Sequence, residues 1–583
     1  MLLEAAETAT NALQGVVGLP QESYRALAGI IGNDTLSYFA PELVICVAML
    51  LVLLVDVSDK LRSPRNLMLV ALVALAAPAL MILGKWGGEA LFFYPAWGNL
   101  AQYSNLEGHI SLQPDSHMLV FDGFANFFKV FVLASGLITL GMIHLDKGTP
   151  RRSLGEMLTL LLGSVLGMML LASATNLLMI YLSIEFMSLA SFILVAFKRR
   201  DRKGTEGALK YMLFGAVSSG VMIYGISLLY GMAGTLDIAL IGQRLAQVND
   251  PLAIAMALMM VTVGFGYKMS IAPMHFWAPD AYEGAPTPVT AFLSVASKAA
   301  GFAVFIRFID AMSAQSTGNA LPIINWVSFV AVIGAVTMTV GNLTAIWQPN
   351  VKRMLAYSSI AHAGYLMIGA AVVAAGGEIG GEAGARIADV GGSATAFYLV
   401  AYCLMNFGAF AVVQVVANET GRDDMNAFDG LFKRNPTLAV VMAILLLSLL
   451  GIPPTFGFIG KARLFMAGLE AAQAGYPIMT VLLVIAAVNT TVSCYYYFRL
   501  IRGMFITPGE AATANRPLIV SNTGWLMAGG SAVLTLALFV AGSFFIGPAD
   551  EARLKRRPHL EGAAMPQHDQ GHVEVKRGDG SKG

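Results

Sequence analysis

The sequence predicts an all-α polytopic membrane protein of about 14 transmembrane helices, with two broken helices and two inverted five-helix repeats. Its composition is the first observation: 56% of the 583 residues are hydrophobic and 13% are charged, whereas soluble domains average about 25% charged residues. Apolar runs of roughly 20 residues, the length that crosses a bilayer, recur along the chain. Two of these runs are interrupted by proline and glycine beside a lysine.

Charge and cysteine content exclude several other classes of protein. The net charge is +1, so nothing indicates a nucleic-acid partner. The three cysteines, Cys46, Cys403 and Cys494, lie far apart in apolar runs without the spacing of a metal site or a disulfide framework. Residues 1–37 have no basic segment ahead of an apolar one, so we interpret them as a polar tail rather than a secretory signal.

Fourteen segments are long and apolar enough to span a bilayer. They cover residues 38–57, 66–85, 117–144, 154–172, 175–197, 207–231, 253–274, 287–312, 323–347, 353–375, 393–417, 436–468, 477–504 and 522–547. The seventh and the twelfth are the interrupted ones. We interpret residues 86–116 as a polar, aromatic-rich loop.

The positions of the two breaks define the predicted domain organisation. Residues 38–152 form three N-terminal helices, 153–312 a first five-helix unit, 323–505 a second such unit, and 522–547 a last helix. Residues 548–583 form a charged tail. The interrupted spans lie five spans apart, and because five is odd the two units are expected to be inverted relative to each other.

The basic residues indicate the orientation of the chain. Loops after odd-numbered spans are rich in lysine and arginine, as in residues 198–203, whereas loops after even-numbered spans carry few. This asymmetry predicts that the odd loops are cytoplasmic and that both termini lie outside. The basic run at residues 553–557 disagrees, because it favours a cytoplasmic C-terminus.

The stretch from Val263 to Ala300 carries the first break and most of the candidate chemistry. Lys268 precedes Pro273, and His275 follows it. Irregular backbone at membrane depth is tolerated only where protein or a water-filled cavity surrounds it, and an intramembrane lysine indicates function. We expect His275 either to relay protons or to cap freed backbone groups.

Glu185 lies about ten residues from either polar end of its span and is therefore expected at mid-membrane depth. It is either a protonated carboxyl hydrogen-bonded by Ser188 or a partner for a lysine on a neighbouring helix, with Lys268 as the candidate. Burial disfavours the charged form of a lysine and a nearby carboxylate favours it, so separating or joining such a pair switches a proton. The alternative for Lys268 is a purely structural lysine.

Further lysines extend this polar set. Lys298 follows several hydroxyl residues in the next span, and Lys461 lies beside the second break in GIPPTFGFIGKAR. Together they predict a lateral polar axis through the middle of the membrane. Lys210 lies four residues from Glu206, so a helical surface pair is the simplest interpretation. Lys352 and Arg353 mark a cytoplasmic boundary, and His362 either lines a water path or is a satisfied packing group.

These motifs resemble a known family. PMHFWAPDAYEGAPTPVTAFLSVASKAA, QPNVKRMLAYSSIAHAGY and GIPPTFGFIGKARLF closely resemble the antiporter-like subunits of respiratory complex I. The YEGAP and LSVASK details are most similar to subunit N of the bacterial enzyme, and Lys461 differs from the glutamate of subunit M. The resemblance covers most of residues 38–547. By motif it implies that Glu185, Lys268, Lys298 and Lys461 take the family's key positions, with Lys210 a further one.

The resemblance also implies a function and a setting. It implies proton translocation across the bacterial cytoplasmic membrane, coupled to NADH oxidation and quinone reduction elsewhere in the complex. Its implied partners in the membrane are antiporter-like and small membrane subunits. NADH, flavin, iron–sulfur clusters and quinone are expected in partner subunits, because this chain has no cysteine cluster and no nucleotide-binding glycine motif. Two alternatives are the large subunit of a stand-alone cation/proton antiporter complex and a membrane scaffold with inert lysines.

Overall fold

A computed structural model describes residues 39–58, 60–86, 109–113, 116–148, 151–198, 201–313, 324–509 and 517–541. The predicted tails at 1–37 and 548–583 and the basic run at 553–557 lie outside these residues. The helices, in chain order, are α1 (Ala40–Val57), α2 (Pro64–Trp86), α3 (Gly123–Leu145), α4 (Leu154–Ser173), α5 (Leu177–Val195), α6 (Arg202–Ala233), α7 (Ile238–Leu245), α8 (Pro251–Met269), α9 (Trp277–Gly284), α10 (Thr287–Ser313), α11 (Trp326–Ala345), α12 (Val351–Ile379), α13 (Gly381–Thr420), α14 (Leu431–Arg434), α15 (Pro436–Leu450), α16 (Phe456–Gln473), α17 (Pro477–Phe505) and α18 (Asn522–Val540). Short 3₁₀ turns lie at Arg151–Ser153 and Met425–Phe428.

The number of spans agrees with the prediction. Thirteen helices within the described residues are long and apolar enough to cross a membrane, and the shorter apolar helix α15 joins α16 across a break to give a fourteenth. The length of one span differs clearly from its prediction. Helix α13 covers 40 residues instead of the predicted 25 or so, because the polar residues that precede the apolar run continue the same helix.

A β-hairpin corrects the end of the predicted loop at residues 86–116, of which 87–108, 114 and 115 lie outside the described residues. Strands β1 (His109–Gln113) and β2 (Ser116–Val120) pair in antiparallel fashion. The predicted third span, at 117–144, therefore begins later, at Gly123, because its first residues belong to β2. Asp122 caps α3 by accepting a hydrogen bond from the Ala125 N–H at 2.7 Å.

The connections between spans gather on two opposite sides. Leu119 of the hairpin pairs with Ala174 after α4, and Asn176 pairs with Asp237 after α6. On the other side, Asn350 pairs with Asp424, which connects the loops after α11 and α13. The even and odd connections are thus separated, as alternating spans require. The compartment that each side faces stays a prediction.

Neighbouring groups satisfy the backbone at both breaks. After α8 the chain turns at Ser270, whose φ is 58°, and the freed Ala272 N–H donates to Thr337 Oγ1 at 3.0 Å. After α15 the chain turns at Gly451, whose φ is 86°, and the Gly457 N–H donates to Ser448 Oγ at 3.2 Å. The backbone groups freed at both breaks thus find partners inside the protein, although Pro273 at the first break and Pro453 and Pro454 at the second are exposed.

Candidate functional site: a row of buried lysines

Lys268 lies in the last turn of α8, directly before the first break. Its side chain is buried, and its Nζ donates to Ser188 Oγ at 3.1 Å and to the Tyr211 hydroxyl at 3.4 Å. Tyr211 stacks on Trp277, with ring centroids 4.0 Å apart. The Trp277 indole N–H in turn donates to the Tyr267 carbonyl at 3.1 Å. The lysine is thus held by hydroxyl groups inside an aromatic pocket that α9, on the far side of the break, helps to form.

The position of Glu185 corrects the expected direct pairing with Lys268. Glu185 is half-buried on α5 and accepts a hydrogen bond from the Ser219 hydroxyl on α6. Ser188 does not bond the carboxylate either, because its hydroxyl donates to the Ile184 carbonyl and accepts from Lys268. Within the described residues the carboxylate and the ammonium are therefore separated, although the charge of Glu185 still acts on Lys268. The sequence did not reveal this because Ser219 belongs to another helix.

Lys298 follows a local irregularity in α10. Leu293–Ser297 form a π-helical turn directly before it, and such turns are frequent at functional sites. The buried Lys298 Nζ donates to both the hydroxyl and the carbonyl oxygen of Ser359 on α12, each at 2.5 Å. Ser297 Oγ is buried and has no partner within the described residues. Lys298 thus links the first predicted unit to the second.

Tyr282 follows Lys268 and precedes Lys298 in the chain, and it lies near a partner of each. It projects from α9, and its side chain is buried. Its hydroxyl interacts with Ser359, the partner of Lys298, and also lies near Tyr211, the partner of Lys268. Hydroxyl groups therefore connect the surroundings of the two lysines.

The second half of the row follows one face of α12. His362 Nδ1 bonds the Tyr398 hydroxyl at 2.5 Å, and its Nε2 lies 3.5 Å from the Tyr497 hydroxyl. The charges of Lys298 and Lys461 both act on His362. The sequence left open whether His362 lines a water path or packs, and the structure places it between two lysines of the row.

Lys461 lies on α16, just after the second break. Its Nζ donates to the Leu450 carbonyl at 2.9 Å and lies 4.5 Å from the centre of the Tyr365 ring. The chain at Gly451 passes so close that a Cβ there would be 2.9 Å from Lys461 Cδ. Each break thus places one lysine beside it, before the break for Lys268 and after it for Lys461.

Lys210 and His275 do not contact the row formed by Lys268, Lys298 and Lys461. The Lys210 Nζ forms ion pairs with Glu206 at 2.7 Å and with Asp280 of α9 at 2.8 Å, and its side chain is 39% exposed. The expected helical pair with Glu206 is therefore present. His275 is buried against the ring of Phe276, and its Nδ1 has no partner within the described residues. Both expectations for His275, proton relay and backbone cap, stay open.

A buried ion pair that was not predicted from the sequence lies away from the breaks. Glu42 of α1 and Lys129 of α3 lie 2.8 Å apart, with both side chains 1% exposed. A second pair joins Asp122 to Arg307 by two hydrogen bonds. Burial opposes ionisation of Asp122, but the charge and hydrogen bonds of Arg307 outweigh it and hold the pKa of this carboxyl below its usual value. The early glutamate at the start of a span was the signal that could have revealed the first pair.

Comparison with known proteins identifies the family of the chain. Residues 174–490 match the family model described as NADH:quinone oxidoreductase/Mrp antiporter, TM. The chain is 44% identical to NADH-quinone oxidoreductase subunit N 2 of Sorangium cellulosum, over 83% of this chain and 92% of that protein. It is 43% identical to NADH-quinone oxidoreductase subunit N of Anaeromyxobacter, over 72% of this chain and 82% of that one.

Solved structures show the same fold. A chain of respiratory complex I from Thermus thermophilus is 30% identical, with a TM-score of 0.66 and coverage of 87% of this chain and 98% of that chain. A chain of the Mrp complex from Dietzia is 20% identical with a TM-score of 0.70, covering 89% and 97%, and supports the fold alone. The chain therefore belongs to the NADH:quinone oxidoreductase/Mrp antiporter transmembrane family, and within it to the subunit N group of NADH-quinone oxidoreductases.

Proposed function

We propose that this chain is the antiporter-like membrane subunit that translocates protons in an NADH-quinone oxidoreductase. The observation that carries the proposal is the row of three buried lysines, Lys268, Lys298 and Lys461, joined by hydroxyl and imidazole groups and flanked by Glu185. Ionisable groups inside a membrane are costly and are characteristic of proton relays. The membership of this chain in the subunit N group supports the same function.

The separated carboxylate gives the row a switch. In this structure Glu185 accepts a hydrogen bond from Ser219 and forms no ion pair with Lys268. When Glu185 approaches Lys268, its negative charge stabilises the ammonium form of the lysine. When Glu185 withdraws, no opposite charge offsets the cost of burying the ammonium, so the neutral form is favoured. A proton released by Lys268 then moves through the hydroxyls of Tyr211 and Tyr282 towards Lys298. Coupled groups of this kind titrate as a set rather than singly.

The later steps use the second half of the row. From Lys298 a proton passes by Ser359 and His362 to Lys461 at the second break. A neutral imidazole both accepts and donates a proton through its two nitrogens, which suits His362 to this position. We propose that NADH, flavin, iron–sulfur clusters and quinone bind to partner subunits, and that the energy of quinone reduction reaches this chain through contacts with them. The five-helix units 153–312 and 323–505 are proposed as the two halves of the pump.

The test replaces each lysine in the assembled complex. Lys268→Ala and Lys461→Ala should abolish most NADH-driven proton uptake by inverted membrane vesicles, because the proton carriers are gone. Lys268→Arg should not restore it, because a guanidinium does not release its proton. Complex assembly on native gels separates a missing carrier from a misfolded subunit.

The matched control is a buried lysine outside the row. Replacing both members of the other buried pair, by Glu42→Gln with Lys129→Met, should leave the number of protons taken up per NADH unchanged. Normal pumping by an assembled Lys268→Ala complex would overturn the proposal and favour an inert scaffold.

A further inference from the structure

Lys352 occupies an unexpected position. The sequence predicts a boundary residue in contact with water, but Lys352 is 6% exposed at the start of α12. Its Nζ donates to the Ala285 carbonyl at 3.1 Å and forms an ion pair with Asp423 at 3.0 Å. Ala285 lies at the junction of α9 and α10 in the first predicted unit, and Asp423 follows α13 in the second. One ammonium therefore joins the two units at the odd-loop side.

Lys352 lies at the floor of a cavity of about 440 Å³. The cavity is lined by residues in or next to the connections after the third, fifth, seventh, ninth and eleventh spans, which are predicted to face the cytoplasm. Its wall includes Lys147, Lys203, Thr287 and Gln414. Two of its other lysines lie at the rim: Lys147 pairs with Glu419 and is 66% exposed, and Lys203 pairs with Glu283 and is 68% exposed. Lys352 differs from them in being buried.

A polar seam leads from this floor to Lys298. On α10, Thr287, Thr290, Ser294 and Lys298 are spaced by three or four residues and share one face of the helix. The eleven residues from Thr287 to Lys298 correspond to about 16 Å of helix. The cavity and the central lysine of the row are therefore separated by three turns that carry hydroxyl groups.

The facing helix α13 supplies polar groups to the same seam. Gln414 Oε1 is buried and has no hydrogen-bond partner within the described residues. The buried Tyr402 hydroxyl interacts with Ser294 and with Ser359, the partner of Lys298. Between them along the helix, Asn406 Nδ2 donates to Ser294 Oγ at 2.6 Å. An unpartnered buried polar atom such as Gln414 Oε1 is costly. Its position at the cavity, together with the contacts of Asn406 and Tyr402 with Ser294, indicates a polar path towards Lys298 rather than packing alone.

We propose that Lys352 is a gate between the cavity and this seam. If the proposed function is right, this gate controls when Lys298 exchanges protons with the cytoplasmic side. In this structure the gate is closed, because the ammonium bridges Asp423 and the Ala285 carbonyl. Its positive charge repels an entering proton. The gate opens when Lys352 leaves the Ala285 carbonyl and swings into the cavity, where Asp423 and Glu283 still compensate its charge. Lys352 is a positioning residue, since it regulates access and does not itself carry the proton.

Access to the cavity floor tests the gate directly. Thr287→Cys places a thiol at the floor, and its rate of modification by a cationic, water-soluble thiol reagent is measured in the assembled complex. Adding Lys352→Met, which keeps an unbranched side chain one atom shorter but removes the charge and both bonds, should speed modification severalfold. A neutral reagent of similar size should gain less, because only the cationic one is repelled by Lys352. Subtracting the reaction of the parent chain removes the contribution of its three native cysteines.

Lys147→Met is the matched control, because Lys147 lines the same cavity at its rim. It should leave modification of the Thr287→Cys thiol unchanged. If the methionine variant fails to assemble, Lys352→Gln is used in its place, because glutamine removes the charge but keeps a donor for the Ala285 carbonyl. Equal modification rates with and without Lys352 would overturn the gate.

A second readout connects the gate to pumping. With Lys352→Met, NADH oxidation should continue while fewer protons are taken up per NADH, because Lys298 then exchanges protons with the cytoplasmic side at the wrong stage. The modification rate does not depend on pumping. Failure of the gate would therefore appear as unchanged modification, and failure of the proposed function as normal pumping without Lys268.

Discussion

Two sets of one glutamate and one buried lysine show opposite arrangements. Glu42 and Lys129 touch at 2.8 Å with both side chains almost fully buried. Glu185 and Lys268 interact only at longer range, and each is held by a serine hydroxyl. The first set lies in the three N-terminal helices and the second beside a helix break. The same two residue types therefore form a closed pair in one region and a separated pair in another.

The two arrangements differ in how easily the charged groups can move apart. Separating a closed, buried pair leaves two uncompensated charges, each of which costs several kcal/mol. Glu42 and Lys129 are therefore expected to stay together and to fix α1 against α3. Glu185 is already separated and retains partial exposure, so its movement costs less. The closed pair suits a static contact, and the separated pair suits a switch.

Breaking the closed pair should have the largest effect on the protein. Lys129→Ala leaves the Glu42 carboxylate buried and unpaired, which should cost about 3–5 kcal/mol of stability. The amount of assembled complex on native gels should fall strongly, and the remaining complex should dissociate at a lower temperature. Glu42→Gln combined with Lys129→Met should restore assembly, because replacing both charges by neutral groups of similar size is often neutral. If Lys129→Ala assembles normally, the pair contributes nothing to the fold.

Removing the charge of the separated carboxylate should instead affect transport. Glu185→Gln keeps an acceptor for the Ser219 hydroxyl but removes the charge that acts on Lys268. Assembly should be preserved and NADH-driven proton uptake should fall severely. Glu185→Asp should retain part of the activity, because the charge survives one methylene shorter. Glu185→Gln vesicles that pump at the parent rate would show that Glu185 is no switch.

The sequence predicted the fold well because its main signals are local. Apolar length gave the fourteen spans, and proline and glycine within apolar runs gave both breaks. The depth of Lys268, Lys298 and Lys461 within their runs predicted their burial, which the structure shows. Each of these features can be read within about 20 residues of chain.

What the sequence did not predict depends on contacts between distant helices. Lys352 looked like a boundary marker because it adjoins a span, and its burial arises from Ala285 and Asp423, which lie about 70 residues away on either side. Ser219 separates Glu185 from Lys268 across a helix interface. No single window of sequence contains both partners of these contacts.

Lys210 offers the mildest test of the contrast between buried and exposed charge. Like Lys268 it is a lysine near the first break, but its ammonium is partly in water and is paired with two carboxylates, Glu206 and Asp280. Exposed ion pairs contribute only about 0.2–1 kcal/mol each, and salt screens them. Lys210→Gln should therefore leave assembly intact and reduce proton uptake only partly, by loosening the contact between α6 and α9. Raising the salt concentration should weaken the ion pairs of Lys210 in the parent protein. The difference in proton uptake between the parent and the variant should therefore become smaller. A loss of proton uptake as complete as that of Lys268→Ala, in a fully assembled complex, would mean that Lys210 belongs to the row of proton carriers despite its exposure.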